Sequence, residues 1–300
     1  MKLSVVGCGH VGSAVAFAAV ARGVARELVL VDTDRRRAHG EACDLLHASA
    51  FVRPTHVVAG DVPDTAGSDV VVVSAAVADT SGTRTATLRE NARLYAELVP
   101  RLRSASPGAL FVCVSNPVDV LTYLAIRVGG VEPRLAVGTG TLIDTGRFRA
   151  LLSESWRIHA DDVRAYMLGE HGDTQFAALS VASAGGVRFR QDDATVIAAA
   201  EAARRAGYEV VAEKGYTNYA IALATTLILE AVAGDTHTVL PLSVLVEGFH
   251  GVSDVCLSLP VVVGRRGVER VLPVDLSVDE LASLRRSAET VRTLIDAAMA

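Results

Sequence analysis

The residues best suited to proton-coupled chemistry stand in one short run, Gly169-Glu170-His171-Gly172-Asp173. A histidine among glycines, at the end of a strand-like stretch, is accessible and free to be oriented. Its ordinary pKa near neutrality suits proton exchange with a substrate oxygen. The other seven of the 8 histidines lack that setting. His10 lies inside a glycine loop, and the rest read as helix, loop or surface residues. Asp144-Thr145-Gly146-Arg147 opens a predicted helix. Asp144 is a candidate to hold the imidazole in one tautomer and to stabilise its charged form. Arg147, three residues on, shares that helix face, and its planar guanidinium forms a natural fork for a carboxylate. Taken alone, the same pair also reads as a helix cap and a surface cation. Asn116, in Ser115-Asn116-Pro117-Val118, stands at a predicted strand end, where ligands collect in open α/β sheets. It can donate to a substrate oxygen or accept from a ribose, or simply be a turn residue before proline. The polar segment Ala78-Asp79-Thr80-Ser81-Gly82-Thr83-Arg84 reads as a lid. Arg84, carried inward on closure, would polarise a substrate carbonyl and exclude water.

A second constellation addresses a cofactor. Gly7-Cys8-Gly9-His10-Val11-Gly12 follows a predicted strand and opens a predicted helix, the context that gives G-x-G-x-x-G its meaning. Gly7 and Gly9 permit a tight turn and close approach of a pyrophosphate, Gly12 lets the helix pack on the sheet, and the helix N-terminus turns its N–H groups to the phosphates. Asp32 ends the second strand, 20 residues after Gly12. A carboxylate there accepts from a ribose diol and repels a 2′-phosphate, so NAD is favoured over NADP. The run Arg35-Arg36-Arg37 is the opposing argument, but such runs are usually solvated faces.

The elements that must position these groups alternate. Strand-like runs at Leu3–Val6, Leu28–Val31, Val57–Ala59, Val70–Val73, Leu110–Val114 and Leu135–Val137 are apolar throughout and separated by helical stretches, such as Ser13–Ala21. That pattern predicts a doubly wound parallel sheet covered on both faces, a Rossmann-type α/β fold. The second half reads as α+β. Strand-like pieces at Val163–Leu168 and Ala178–Ala182 precede helices at Asp193–Ala212 and Asn218–Ala233. Hairpin-like strands at Leu240–Glu247 and Val255–Val263 follow, with Gly264-Arg265-Arg266-Gly267 as their turn. A last helix starts at Ser277, with Glu280 in capping-box position. Its apolar stripe runs through Leu281, Leu284, Ala288, Val291, Leu294 or Ile295, and Ala298. The boundary falls near Gly138, giving residues 1–138 to the cofactor and 139–300 to substrate binding and catalysis.

Composition removes several classes. The net charge of -5 gives no basic surplus for nucleic acid. Apolar stretches break before the roughly 18 residues that a membrane span needs. The start, Met1-Lys2 running straight into a strand, reads as cytosolic rather than as a leader. Cys8, Cys43, Cys113 and Cys256 are widely spaced, which argues against disulfides or a structural zinc site and for reduced, mostly buried thiols.

Taken together and in order, these pieces resemble the L-lactate/malate dehydrogenase family over nearly the whole chain. The carrying motifs are the glycine turn, Asp32, Ser115-Asn116-Pro117-Val118-Asp119, Ile143-Asp144-Thr145-Gly146-Arg147-Phe148-Arg149 and Gly169–Asp173. The resemblance implies that His171 is the acid/base and Asp144 its partner, Arg147 the clamp on a 2-oxo acid carboxylate, and Arg84 the loop arginine. Asn116 would orient His171 and substrate. Within Lys214-Gly215-Tyr216-Thr217-Asn218-Tyr219-Ala220-Ile221, it puts Thr217 in the substrate pocket and Ile221 near the nicotinamide. That segment and the run Gly251–Pro260 look more like the lactate than the malate branch, so pyruvate and NADH are the expected reactants.

The lid departs from the family pattern. It has neither the Gln usual in lactate enzymes nor the Arg of malate enzymes, and it is one residue shorter, so Ala78 or Asp79 occupies the specificity position. Aspartate there would repel the second carboxylate of oxaloacetate. Alanine would leave room for a bulkier acid, such as 2-oxoisocaproate. The stretch after Gly186 also looks shorter than usual. Many bacterial members bind fructose bisphosphate between subunits through an Arg and a His; here Arg149 matches the first and Arg164 stands at the second. The family forms tetramers and some dimers, so a homo-oligomer is expected. A non-catalytic nucleotide-binding module would have lost one or more of Arg84, Asp144, Arg147 and His171, and all four are present.

Overall fold

The computed structural model describes residues 1–77 and 84–300, and for 84–86 the helical backbone alone. Strands β1 (Lys2–Val6), β2 (Glu27–Val31), β3 (His56–Gly60), β4 (Val70–Val73), β5 (Leu110–Cys113) and β6 (Ala136–Gly138) pair in parallel in the order β6-β5-β4-β1-β2-β3. Both faces of this sheet are covered, which is why its strands are apolar at successive positions instead of alternating. One face packs on α1 (His10–Ala21) and α2 (Arg35–Ala48) through Val15, Ala19, Ala42 and Leu45. The other packs on α3 (Arg84–Ala105) and α4 (Val118–Arg127) through Leu88, Val99, Leu121 and Leu124. Strand order reverses between β1 and β4, so the segments leaving these two strands diverge and open a crevice at their C-terminal ends.

The second half starts with α5 (Leu142–Trp156) and four pairs of short-strand residues, β7 (Val163–Arg164), β8 (Met167–Leu168), β9 (Phe176–Ala177) and β10 (Ser183–Ala184), followed by β11 (Val187–Arg188). Then come α6 (Ala194–Lys214), α7 (Tyr219–Gly234), β12 (Thr238–Phe249), β13 (Val252–Gly264), β14 (Gly267–Val271) and α8 (Val278–Met299). Phe148, Leu152, Met167, Phe189 and Val196 form a separate small core beneath α5 and α6. The long strands do not form a sheet of their own. β12 meets β6 antiparallel at Ser243–Gly138, so one sheet of nine strands, ordered β14-β13-β12-β6-β5-β4-β1-β2-β3, runs through both halves. Among the described residues no helix is long and apolar enough to cross a membrane. All four cysteines are free, and only Cys43 is not buried.

Three local expectations change. Gly264–Gly267 turns β13 into a third strand, β14; the turn between β12 and β13 is at His250-Gly251. The run Val163–Leu168 divides between two partners, since β7 pairs with β10 and β8 with β9. Ala178–Ala182 is not a strand but holds a 3-10 turn at Leu179–Val181. The reason lies in α8. Glu280 completes the capping box with Ser277, and its carboxylate also accepts the Ser180 N–H at 2.9 Å and the Ser180 hydroxyl at 2.5 Å. Those bonds take the backbone group that a ladder would have used.

Glu280 is therefore more than a cap. Glu280→Ala is expected to lower the unfolding free energy by about 2–3 kcal/mol, since charge-assisted bonds are lost at a buried position. Ser277→Ala, which removes the cap alone, should cost about 1 kcal/mol. Urea melts of the two variants make the comparison, and equal losses would show that the tie to Ser180 contributes nothing.

Candidate active site

The crevice is built first from backbone. Gly7 has φ +95, and a Cβ there would stand 2.6 Å from the Ala75 nitrogen. A Cβ on Gly12 would lie 1.8 Å from the Gly7 carbonyl oxygen, so the third glycine is what allows α1 to start against the turn. Gly9 differs from both, because a Cβ on it would meet nothing within 4 Å. Its open face leaves backbone available to a ligand. No side chain caps α1 at Gly9 and no acidic residue stands in the first turn. The first N–H groups of the helix are thus left for an anion. Val11 packs against the core behind the turn. Asp32 follows β2, and its carboxylate accepts the Cys8 N–H at 2.7 Å and the Asp34 N–H at 2.8 Å. It braces the glycine turn and keeps lone pairs for a ribose diol. In the basic run, Arg35 is paired with Asp61 and Arg37 with Asp34. The residues present fit a dinucleotide diphosphate and an unphosphorylated ribose.

The fold brings His171, Asp144 and Arg147 together. His171 Nδ1 is 2.7 Å from Asp144 Oδ2, and Arg147 donates to Asp144 Oδ1 at 2.9 Å. The Asp144 side chain is 1% exposed, against 22% for His171. Burial opposes the charge on Asp144, but the His171 and Arg147 charges and hydrogen bonds outweigh it and hold the carboxyl below its ordinary range. Burial likewise opposes a charged His171, and the Asp144 carboxylate overcomes it, so the imidazole holds its proton above the ordinary 6.5. With Nδ1 committed to Asp144, Nε2 has no protein partner among the described residues. That nitrogen is free to exchange a proton with a bound oxygen. Arg147 packs under α6, where Gly207 leaves it room; a Cβ on Gly207 would lie 3.2 Å from the guanidinium.

Two supporting residues carry no role in the sequence reading. Asp119, fully enclosed in the first turn of α4, accepts the main-chain N–H of His171 at 2.7 Å and the Ser243 hydroxyl at 2.5 Å. Burial pushes its carboxyl up to about 6 despite those bonds. The signal was an aspartate set between Val118 and Val120 in a mostly apolar helix. Asn91 accepts the Val77 N–H at 2.8 Å and donates to the Asn116 carbonyl at 3.1 Å, joining the ends of β4 and β5. Nothing in its local sequence marks it.

The remaining candidates are placed as follows. Asn116 lies exposed at the end of β5 and makes no hydrogen bond to His171, whose holding bonds come from Asp144 and Asp119. Thr217 is half-buried in the connection between α6 and α7, and Ile221 is buried on α7. Arg149 is half-buried, donates to the Ala165 carbonyl at 3.0 Å and lies over the Tyr166 ring. Burial, and then the charge of Arg164, lower its affinity for its proton. Residues 78–83 and the Arg84 side chain, and with them the lid and its specificity position, lie outside the described residues.

The comparisons point one way. Residues 1–138 match the lactate/malate dehydrogenase NAD binding domain, and residues 141–300 match the α/β C-terminal domain of the same family. The chain is 38% identical to an L-lactate dehydrogenase of Clostridium botulinum, covering 98% of this chain and 96% of that one. It is 39% identical to an L-lactate dehydrogenase of Gloeobacter violaceus, covering 99% and 93%. In structure it is similar to a lactate dehydrogenase from a Medee basin deep-sea metagenome library, with TM-score 0.95 and 35% identity over 100% of this chain and 99% of that one. A minor L-lactate dehydrogenase of Enterococcus mundtii superposes with the same TM-score of 0.95 at 32% identity, covering 98% and 97%.

The geometry sets a titration. A raised His171 pKa means that its ion pair stabilises the fold fully below pH 6.5 and that this contribution fades as pH rises through the folded value. Asp144→Asn removes the group that outweighs burial, so the His171 pKa is expected to fall below 6.5. NMR titration of the imidazole reads it directly. An unchanged pKa in the variant would mean that Asp144 does not control the proton.

Proposed function

The chain belongs to the lactate/malate dehydrogenase family, and from that premise we infer that it is an NAD-dependent 2-hydroxyacid oxidoreductase that interconverts pyruvate and L-lactate. The observation that carries the chemistry is the contact chain Arg147–Asp144–His171, with links of 2.9 and 2.7 Å, beside a dinucleotide crevice. NADH, when bound, supplies the hydride for the substrate carbonyl carbon, and NAD⁺ accepts it in the reverse direction.

The chain's own residues do the rest. The turn at Gly7, Gly9, Val11 and Gly12 holds the diphosphate on the N-terminus of α1, and Asp32 takes the ribose diol. Asn116 and Ile221 bound the nicotinamide end. Arg147 still has guanidinium N–H groups beyond the one given to Asp144, and these fix the substrate carboxylate. Protonated His171 gives its Nε2 proton to the oxygen as the hydroxyl forms, and Asp144 favours the charged imidazole beforehand. Arg84 and Asn116 stabilise the negative charge that grows on that oxygen. Thr217 lines the pocket, whose depth is set by Ala78 or Asp79. A carboxylate at that position disfavours oxaloacetate.

Three further assignments go with this reading. Arg149 and Arg164 set two like charges close together, which favours a bound phosphate group, and fructose bisphosphate is the effector proposed for them. A second copy of the chain is the proposed partner. Phe17, Tyr219, Leu223 and Leu227 leave a substantial apolar surface exposed on α1 and α7, beside a cavity of about 470 Å³ that reaches Leu45 on α2. We place this enzyme in the cytoplasm.

The reading is tested by kcat/KM with NADH for pyruvate, oxaloacetate and 2-oxoisocaproate. Pyruvate is expected to lead by about tenfold or more, equivalent to roughly 1.4 kcal/mol of transition-state discrimination. A lead for either competitor would keep the residue roles and move the substrate. The effector site has its own measurement. Fructose bisphosphate should activate the wild type, and Arg149→Ala should abolish the response; an identical activation curve in the variant sinks the assignment.

A further inference from the structure

His10 is the first residue of α1, so its backbone belongs to the turn that holds the diphosphate. Its side chain takes no part in that turn. The imidazole lies flat on the Tyr216 ring, with centroids 3.9 Å apart and planes 7° from parallel. Tyr216 sits in the connection 215–218 between α6 and α7, next to Thr217, where Gly215 turns the chain at φ +88. Lys214 secures this connection from its own side. Its ammonium lies 4.7 Å from the Tyr216 centroid and 4.0 Å from that of Tyr219, and it donates to Asn218 Oδ1 at 2.6 Å. Among the described residues no hydrogen bond joins 215–218 to the cofactor-binding half of the chain. The ring stack is therefore the directional contact between the glycine turn and the segment carrying Thr217.

We propose that His10 and Tyr216 are a positioning pair, whose stacked rings fix the Thr217 connection against the glycine turn so that cofactor docking and the substrate pocket are set together. The proposal rests on the cofactor and substrate sites assigned above. Both rings are rigid and planar, and a face contact between them resists sliding less than it resists separation. It can therefore tolerate small adjustments of α1 on binding while keeping the connection from lifting away. A titratable ring is not required for this role, so phenylalanine at position 10 should serve.

The test uses His10→Ala, His10→Phe, Tyr216→Leu and the double variant His10→Ala/Tyr216→Leu in the full chain. NADH affinity is read by the fluorescence change on binding, without turnover, and KM and kcat for pyruvate are read separately. His10→Ala and Tyr216→Leu are each expected to weaken NADH and raise KM for pyruvate by about three- to tenfold, the strength of one aromatic pair, with kcat changed less than about twofold. His10→Phe should recover both values, and the double variant should be no worse than either single one. Amide exchange at 215–218 should quicken in His10→Ala in the absence of cofactor. Unchanged NADH affinity, or effects that multiply in the double variant, would overturn the pair. A wild type that binds NADH and fails to reduce pyruvate would sink the lactate reading instead, while NADH affinity and exchange still decide the stack.

Discussion

One buried carboxylate organises this molecule. Asp144 is almost entirely enclosed, and a charge so placed is tolerable only when well paired. It has a cation on each oxygen, His171 on one and Arg147 on the other. It also stands in the first turn of α5, where the positive end of the helix dipole favours a negative group. In the function proposed above the two cations have different tasks, one moving a proton and the other gripping a carboxylate. Sharing a single anion fixes their separation. For the proposed substrate, which would span both, that separation is a rigid ruler.

The rest of the second half keeps that ruler in place. The start of α5 is tied down at Thr141, whose N–H goes to the Ser258 hydroxyl at 2.9 Å and whose hydroxyl goes to the Met167 carbonyl at 2.6 Å. The strand that carries Ser258 also forms a bridge to Gly169, two residues before His171. Ser243, directly across the ladder from Ser258, gives its hydroxyl to Asp119, and Asp119 holds the His171 backbone. One pair of buried serines on β12 and β13 therefore reaches both ends of the Asp144–His171 contact. The same Ser243 pairs with Gly138, where these strands join the parallel sheet. The sheet ties the position of the cofactor crevice to that of His171 through short, directional bonds.

What the sequence disclosed follows from the range of each interaction. The glycine turn, Asp32 and the capping box at Ser277 are local, and their residues must stand at fixed offsets. The parallel strands announce themselves because both faces are buried. His171, Asp144 and Arg147 are legible as a set because their residue types suit one reaction and their motifs keep a family's order. Asp119 and Asn91 are different. Their partners, His171 and Val77 among them, are distant in sequence or of no diagnostic type, so only the fold reveals the bond. The same holds for Ala178–Ala182, whose apolar pattern suits a strand until Glu280, about a hundred residues on, captures Ser180. The union of β12 with β6 rests on a single bridge and leaves no periodic signature.

The two buried aspartates show how environment divides one residue type between two tasks. Asp144 faces two cations, so its ionised form is favoured and the proton stays on His171. Asp119 faces chiefly neutral donors, a peptide N–H and a hydroxyl, and burial lifts its pKa to about 6. A carboxyl with a raised pKa adds stability when protonated and loses that contribution as pH climbs through the folded value. At neutral pH the ionised Asp119 is thus less favourable to the fold than its protonated form would be. A neutral aliphatic residue would avoid the cost of burying a charge and would leave the His171 N–H and the Ser243 hydroxyl without an acceptor. An ionised carboxylate is acceptor-only on both oxygens, which is what two donors arriving from different elements require. The cost is local and the gain is positional, because the bond to Asp119 adds to the Gly169–Ser258 bridge and the Asp144 contact in holding the loop around His171. His171 stands among glycines and is still fixed in space at both its backbone and its ring.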